Sequence, residues 1–151
     1  MYDFTLKGYL NSDVATVYQA FSEPDVLCKW FAPGKLMVSQ VMLSFIEGGQ
    51  YRTVLVGPDG FQQTIMGTYQ EIVPNERLSF TWRWDDTNDI TKVDVTFSTL
   101  PNSTTSIQLS QSGFAQEQDM LSQQYAWLAC LEKLSLATRE PAYVQHQPHA
   151  A

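Results

Sequence analysis

The feature that most constrains this chain is a change of period. From Leu36 to about Gln111 apolar residues recur at every second position, in short runs broken by turn residues. Only after that does one long helical stripe begin. Leu78, Phe80, Trp82 and Trp84 alternate with Ser79, Thr81 and Arg83, the clearest strand in the chain. Val93, Val95 and Phe97 alternate with Lys92, Asp94 and Thr96, and Ile107 and Leu109 mark the inward face of a last strand over 105–111. Gly57-Pro58-Asp59-Gly60, Pro74-Asn75 and Pro101-Asn102-Ser103 separate these runs as turns. Glu47-Gly48-Gly49 interrupts another apolar stretch, where paired glycines predict a tight turn or bulge. Strands joined by short turns, with no helices between them, pair as an antiparallel sheet.

Such a sheet has an apolar face that must be covered, and the ends of the chain supply the cover. Phe4, Leu6, Gly8 and Leu10 form a first strand. Asn11-Ser12-Asp13 offers an N-cap, and Val14, Val17, Tyr18 and Phe21 follow at the spacing of a short amphipathic helix. Ser22-Glu23-Pro24 starts a second short helix, with Val26, Leu27, Trp30 and Phe31 as its apolar face. The long helix is predicted over about 117–138, on a stripe of Met120, Gln124, Trp127, Leu131 and Leu134 widened by Leu121 and Leu128. Glu117 and Asp119 at its start, and Lys133 and Arg139 at its end, complement the helix dipole. Pro141 is expected to stop it, leaving 142–151 to fray. The fold class is therefore α+β, one domain over 1–140 with a flexible tail over 141–151. A bent sheet closing on one helix need not fill its interior, so a ring-lined chamber for a small molecule is expected between them.

Composition removes several functions. The chain has 151 residues, enough for one domain with a real core. Its formal net charge is −7 and its nine basic residues are scattered, which excludes nucleic acid and disfavours anionic membranes. No segment approaches the roughly 18 apolar residues of a membrane span, and residues 1–10 lack the pattern of a signal peptide, so a cytoplasmic protein without membrane insertion is expected. Asn102-Ser103-Thr104, a glycosylation sequon, is then only a turn. Cys28 and Cys130 both fall in predicted helices and are expected to be buried free thiols.

The residues then fall into a familiar order. Ser22-Glu23-Pro24-Asp25, Lys29-Trp30-Phe31, Gly48-Gly49-Gln50-Tyr51, the stretch Gly67 to Pro74, Glu76-Arg77-Leu78, Thr81-Trp82, 105–114 and the helix carrying Trp127 together resemble the START-like (SRPBCC) superfamily, in its branch related to the activator of heat shock protein 90 ATPase. The resemblance spans roughly residues 3 to 138. It implies a helix-grip fold, about six to seven curved strands wrapped around the C-terminal helix with a hydrophobic cavity between. Members bind lipids or hormones, cyclise polyketides or serve as co-chaperone domains, so function follows only by analogy of fold. The eukaryotic activator carries a separate domain ahead of this one, for which this chain leaves no room, and that departure weighs against a co-chaperone role.

The candidate ligand-binding residues are Trp30, Phe31, Tyr51, Tyr69, Trp82, Trp84, Phe97, Gln124 and Trp127. Trp30 and Phe31 sit where the short helices meet the sheet, either as a pocket mouth or as core plugs. Trp82 and Trp84 share a face with Leu78 and Phe80, so one of them near the open end is placed to touch ligand. Tyr51, Tyr69 and Phe97 lie on neighbouring strands with the same ambiguity. Gln124 interrupts the helical stripe, and either faces the cavity or is solvated on a rotated helix. Arg83 takes the opposite strand face. Catalytic signatures are thin: the histidines, His146 and His149, lie in the tail, and neither a phosphate loop nor a nucleophile elbow is present. No cofactor or metal is implied. A non-enzymatic domain binding a small hydrophobic or aromatic ligand is the leading expectation, ahead of a chaperone-interacting module and a cyclase-like enzyme. Edge strands leave both monomer and homodimer open.

Overall fold

The computed structural model describes the backbone of residues 1–145 and the side chains of residues 1–139. Seven strands and three helices follow the expected order: β1 (Tyr2–Leu10), α1 (Val14–Ser22), α2 (Pro24–Leu27), then β2 (Met37–Leu43), β3 (Gln50–Val56), β4 (Gln62–Val73), β5 (Arg77–Trp84), β6 (Thr91–Leu100), β7 (Thr104–Phe114) and α3 (Glu117–Gln145). The strands form one antiparallel sheet in the order β1-β7-β6-β5-β4-β3-β2. β2 to β7 thus run as a meander, while β1 reaches the far edge because α1 and α2 carry the chain across. This is a helix-grip fold.

Local chemistry explains the elements. The Asp13 carboxylate caps α1 by accepting from the Thr16 amide at 2.9 Å, and Pro24 begins α2, where its missing N–H costs nothing. The register slips at Ser39 and Gln70, extra residues that bend the sheet around the helix. Gly48 and Gly49 form the expected turn: Gly48 donates to the Tyr69 carbonyl and Tyr69 to that of Gly49, both at 2.8 Å. A Cβ on Gly49 would run into the Ser44 carbonyl, so the site excludes any larger residue.

α3 lies in the concave face, buried along Trp127, Cys130, Leu134 and Ala137. Three corrections follow. Leu121 and Leu128, expected to widen that stripe, are exposed. The groove is already packed with rings from α1 and from the turn after α2, so only a narrow strip of α3 reaches it. The helix is assigned through Gln145, past Pro141, at the cost of one i to i−4 hydrogen bond to Ala137; His146 and His149 lie outside the described residues. Finally, Cys28 is exposed, because α2 ends at Leu27 and the thiol sits on the turn beyond it, whereas Cys130 is buried; both are free.

The far half of α3 is tied down by polar contacts. The Lys133 amine donates to the carbonyls of Ala32, at 2.5 Å, and Leu36, at 3.3 Å, and Ser12 donates to the Thr138 carbonyl. No described helix is long and apolar enough to cross a membrane.

Candidate functional site

The expected hollow chamber is filled. Phe21, Trp30, Phe31 and Trp127 pack ring on ring, with centroids 4.7 to 6.4 Å apart. Phe97 continues this cluster through Phe21 and Tyr18. Tyr51, Tyr69, Phe45 and Phe80 form a second cluster towards the other edge. Between Phe31 and the tyrosines only about 10 Å³ remains, no more than a water molecule needs. The large rings that the alternation places inside therefore consume the space they were expected to line.

Two of these core rings have their polar atom committed to backbone carbonyls. The Trp30 indole donates to the Ala20 carbonyl at 2.9 Å. The Tyr51 hydroxyl crosses over Gly67 of β4 to donate to the Thr81 carbonyl at 2.7 Å, filling a gap in the β4–β5 ladder between Met66↔Arg83 and Tyr69↔Phe80. Burial raises the pKa of Tyr51 well above its ordinary range, with neighbouring Tyr69 adding to it, and burial likewise raises Tyr69. Both phenols stay neutral at physiological pH, so neither is a base.

Space opens instead at one end of the groove. A cleft of about 340 Å³ lies between the end of β5, the β5–β6 loop, the end of β7 and the first turns of α3. Trp82 and Trp84, two residues apart on one face of β5, form its back wall, with centroids 4.7 Å apart and planes at 83°. Ile90, Thr91, Phe114, Asp119 and Gln123 complete it. Beneath lies a space of about 30 Å³ bounded by the same two tryptophans, Gln123, Phe31 and Trp127. Four expected residues thus converge here: Trp82, Trp84, Phe31 and Trp127. Trp30, Tyr51, Tyr69 and Phe97 belong to the packed interior. Gln124 is half-buried, and its neighbour Gln123 is the amide that faces both spaces. Arg83 is half-buried rather than on the surface; its guanidinium folds the acidic loop by donating to the Thr87 carbonyl at 2.8 Å.

One residue of this region escaped the sequence reading. Gln111 is fully buried and stands between sheet and helix: its amide oxygen accepts from the Trp127 indole at 2.8 Å, and its amide nitrogen donates to the Thr91 hydroxyl at 2.7 Å. Thr91 in turn donates to the Trp82 carbonyl at 3.2 Å. The relay fixes the cleft floor. Its signal lay in the alternation of Thr105, Ile107, Leu109 and Gln111, which puts a glutamine on the inward face. Among the described residues, no group of three or more His, Cys, Asp or Glu is placed to hold a metal ion.

Other hollows are less suited. A groove of about 860 Å³ along β2 to β4 shares only Tyr51 with the expected residues, and a cleft of about 470 Å³ beside Cys28 and Lys133 shares none.

Comparison with known proteins agrees with the fold. The family model described as Activator of Hsp90 ATPase homolog 1-like protein matches residues 11–138. Similar solved structures include a protein from Chromobacterium violaceum (TM-score 0.83, 24% identity, covering 90% of this chain and 96% of that one). Another is from Nitrosomonas europaea (0.81, 20%, 93% and 96%), and a third is the AHSA1 protein from Silicibacter pomeroyi (0.80, 21%, 89% and 96%). No protein of curated function matches the sequence.

Proposed function

The chain belongs to the Activator of Hsp90 ATPase homolog 1-like protein family, and from that premise we propose that it binds a small, largely apolar molecule in the cleft at the open end of its helix-grip groove. The observation that carries this reading is the indole corner of Trp82 and Trp84, two large rings held at right angles around a cleft of about 340 Å³. Trp82 is buried and Trp84 half-buried, so the cleft is walled by ring carbon, and a ring-lined concavity with a few polar groups is what small-molecule sites share. Phe31 and Trp127 form the floor of the deeper space, and Gln123 presents its amide to both. On this reading the protein acts by binding, and the Tyr51 hydroxyl serves the sheet.

The test is titration of the purified protein with a fluorescent apolar probe, followed by native mass spectrometry for stoichiometry and any retained ligand. Saturable one-to-one binding that weakens about tenfold in Trp84→Ala is expected, the loss of a stacked ring being worth about 1–3 kcal/mol. Non-saturable binding, or binding indifferent to Trp84, overturns the reading.

A second reading has its own observation. Leu121, Tyr125, Leu128 and Leu136 are all exposed along the outer face of α3, an apolar stripe suited to a protein partner. With the family's description, this favours an interaction with a chaperone ATPase. Stimulation of that ATPase, abolished by Leu128→Glu, supports it; unchanged turnover at saturating protein dismisses it.

A further inference from the structure

The cleft has a sign. Asp89 from the β5–β6 loop and Asp119 from the first turn of α3 both line it, and among the described residues no lysine, arginine or histidine side chain does. Met1 reaches the rim but is 94% exposed, where water and salt screen its amino group. Arg83 stands between the two tryptophans in sequence, yet on the other strand face, with its guanidinium committed to the Thr87 and Trp84 carbonyls. The back wall is two indoles at 83° to one another, and indole is the ring whose face attracts cations most strongly. A net charge of −7 adds a field that draws cations towards the protein.

We infer that the ligand of this cleft carries its charge on an alkylated nitrogen, as an amine or quaternary ammonium group. The inference rests on the binding function proposed above. The ammonium sits against the Trp82–Trp84 corner, Asp89 and Asp119 act as counter-charges, and the apolar remainder of the ligand lies against Ile90 and Phe114. A quaternary ammonium suits this site better than a bare ammonium ion, because its alkyl groups lower the desolvation cost of entering a ring-lined wall and leave no N–H donors unpaired. An anion meets two carboxylates there. A neutral molecule gains from the rings alone.

The experiment compares three probes of similar size by tryptophan fluorescence and calorimetry: benzyltrimethylammonium, its uncharged carbon isostere neopentylbenzene, and benzenesulfonate. The cation is expected to bind about tenfold or more tightly than the isostere, with a preference that falls as sodium chloride is raised. In the double variant Asp89→Asn/Asp119→Asn that preference should shrink at least about threefold; both residues are exposed, and an unchanged circular dichroism spectrum verifies the fold. Equal or tighter binding of the isostere or the sulfonate overturns the charge assignment and leaves the binding function standing. An undiminished preference in the double variant overturns the role of the two carboxylates. Failure of all three probes to bind saturably removes the binding function itself.

Discussion

At the scale of single residues, Gln111 joins the sheet to the helix. Replacing it by leucine leaves the Trp127 indole N–H buried without an acceptor, a loss on the order of 1–3 kcal/mol. Gln111→Leu is therefore expected to lower the unfolding free energy by that much, read from a lower urea midpoint at unchanged m-value. Adding Trp127→Phe removes the orphaned donor, so the double variant should lose less than the sum of the two single ones, a coupling read from a double-mutant cycle. The two thiols make a second contrast. Burial pushes the Cys130 thiol up to about 12, with Lys133 pulling weakly the other way, while Cys28 is exposed. At pH 8 a thiol reagent should add once to the native protein, at Cys28, and a second time only after unfolding, because the reactive thiolate is absent at Cys130. Two additions to the native protein, seen by mass spectrometry, would contradict the burial of α3.

At the scale of elements, α1 depends on its cap. Hydrogen bonds from the Thr16 side chain and backbone hold the Asp13 carboxyl below its ordinary value of 3.8. A lowered folded pKa means the cap contributes fully above that value and is lost as pH falls through it. Asp13→Ala should cost about 1 kcal/mol at neutral pH, and the gap to the parent protein should narrow below pH 3.8 in acid-dependent melting. β4 carries a different constraint at Gly67, where a Cβ would collide with the Thr81 carbonyl beneath the Tyr51 ring. Gly67→Ala is expected to destabilise by about 1–3 kcal/mol, because that close approach is what lets Tyr51 reach β5.

These elements also show what the sequence could reveal. Alternation such as Leu78, Phe80, Trp82, Trp84 fixes a strand and its inward face, and turn residues fix where it ends, so six to seven strands and their antiparallel pairing were legible, whereas the place of β1 beside β7 was not. Whether inward rings line a void or fill it was not, since that depends on how far Trp30 and Phe31 reach from the turn after α2 towards rings that lie remote in sequence. The rotation of α3 was hidden for the same reason: Leu121 and Leu128 fit the helical period as well as Cys130 and Ala137 do, and only the filled groove decides between them. Trp82 and Trp84 could be picked out as a pair, but the acidic loop that makes their cleft could not be placed.

At the scale of the whole molecule, one side chain divides the interior space. Phe31 borders both the space of about 10 Å³ beside the tyrosines and that of about 30 Å³ beneath the tryptophans, and so separates them. Removing its ring should join the two and extend the open cleft into the interior. Phe31→Ala is then expected to lose about 3–5 kcal/mol of stability through the void it leaves. It should also bind a bulkier apolar probe, such as a naphthalene derivative, more tightly than the parent does. Because a ligand that binds only the folded state stabilises it by mass action, the probe should restore more of the melting temperature in Phe31→Ala than in the parent protein. A variant that is destabilised but gains no affinity would mean that the sheet collapses onto α3 around the missing ring, and that the groove is held open only by what fills it.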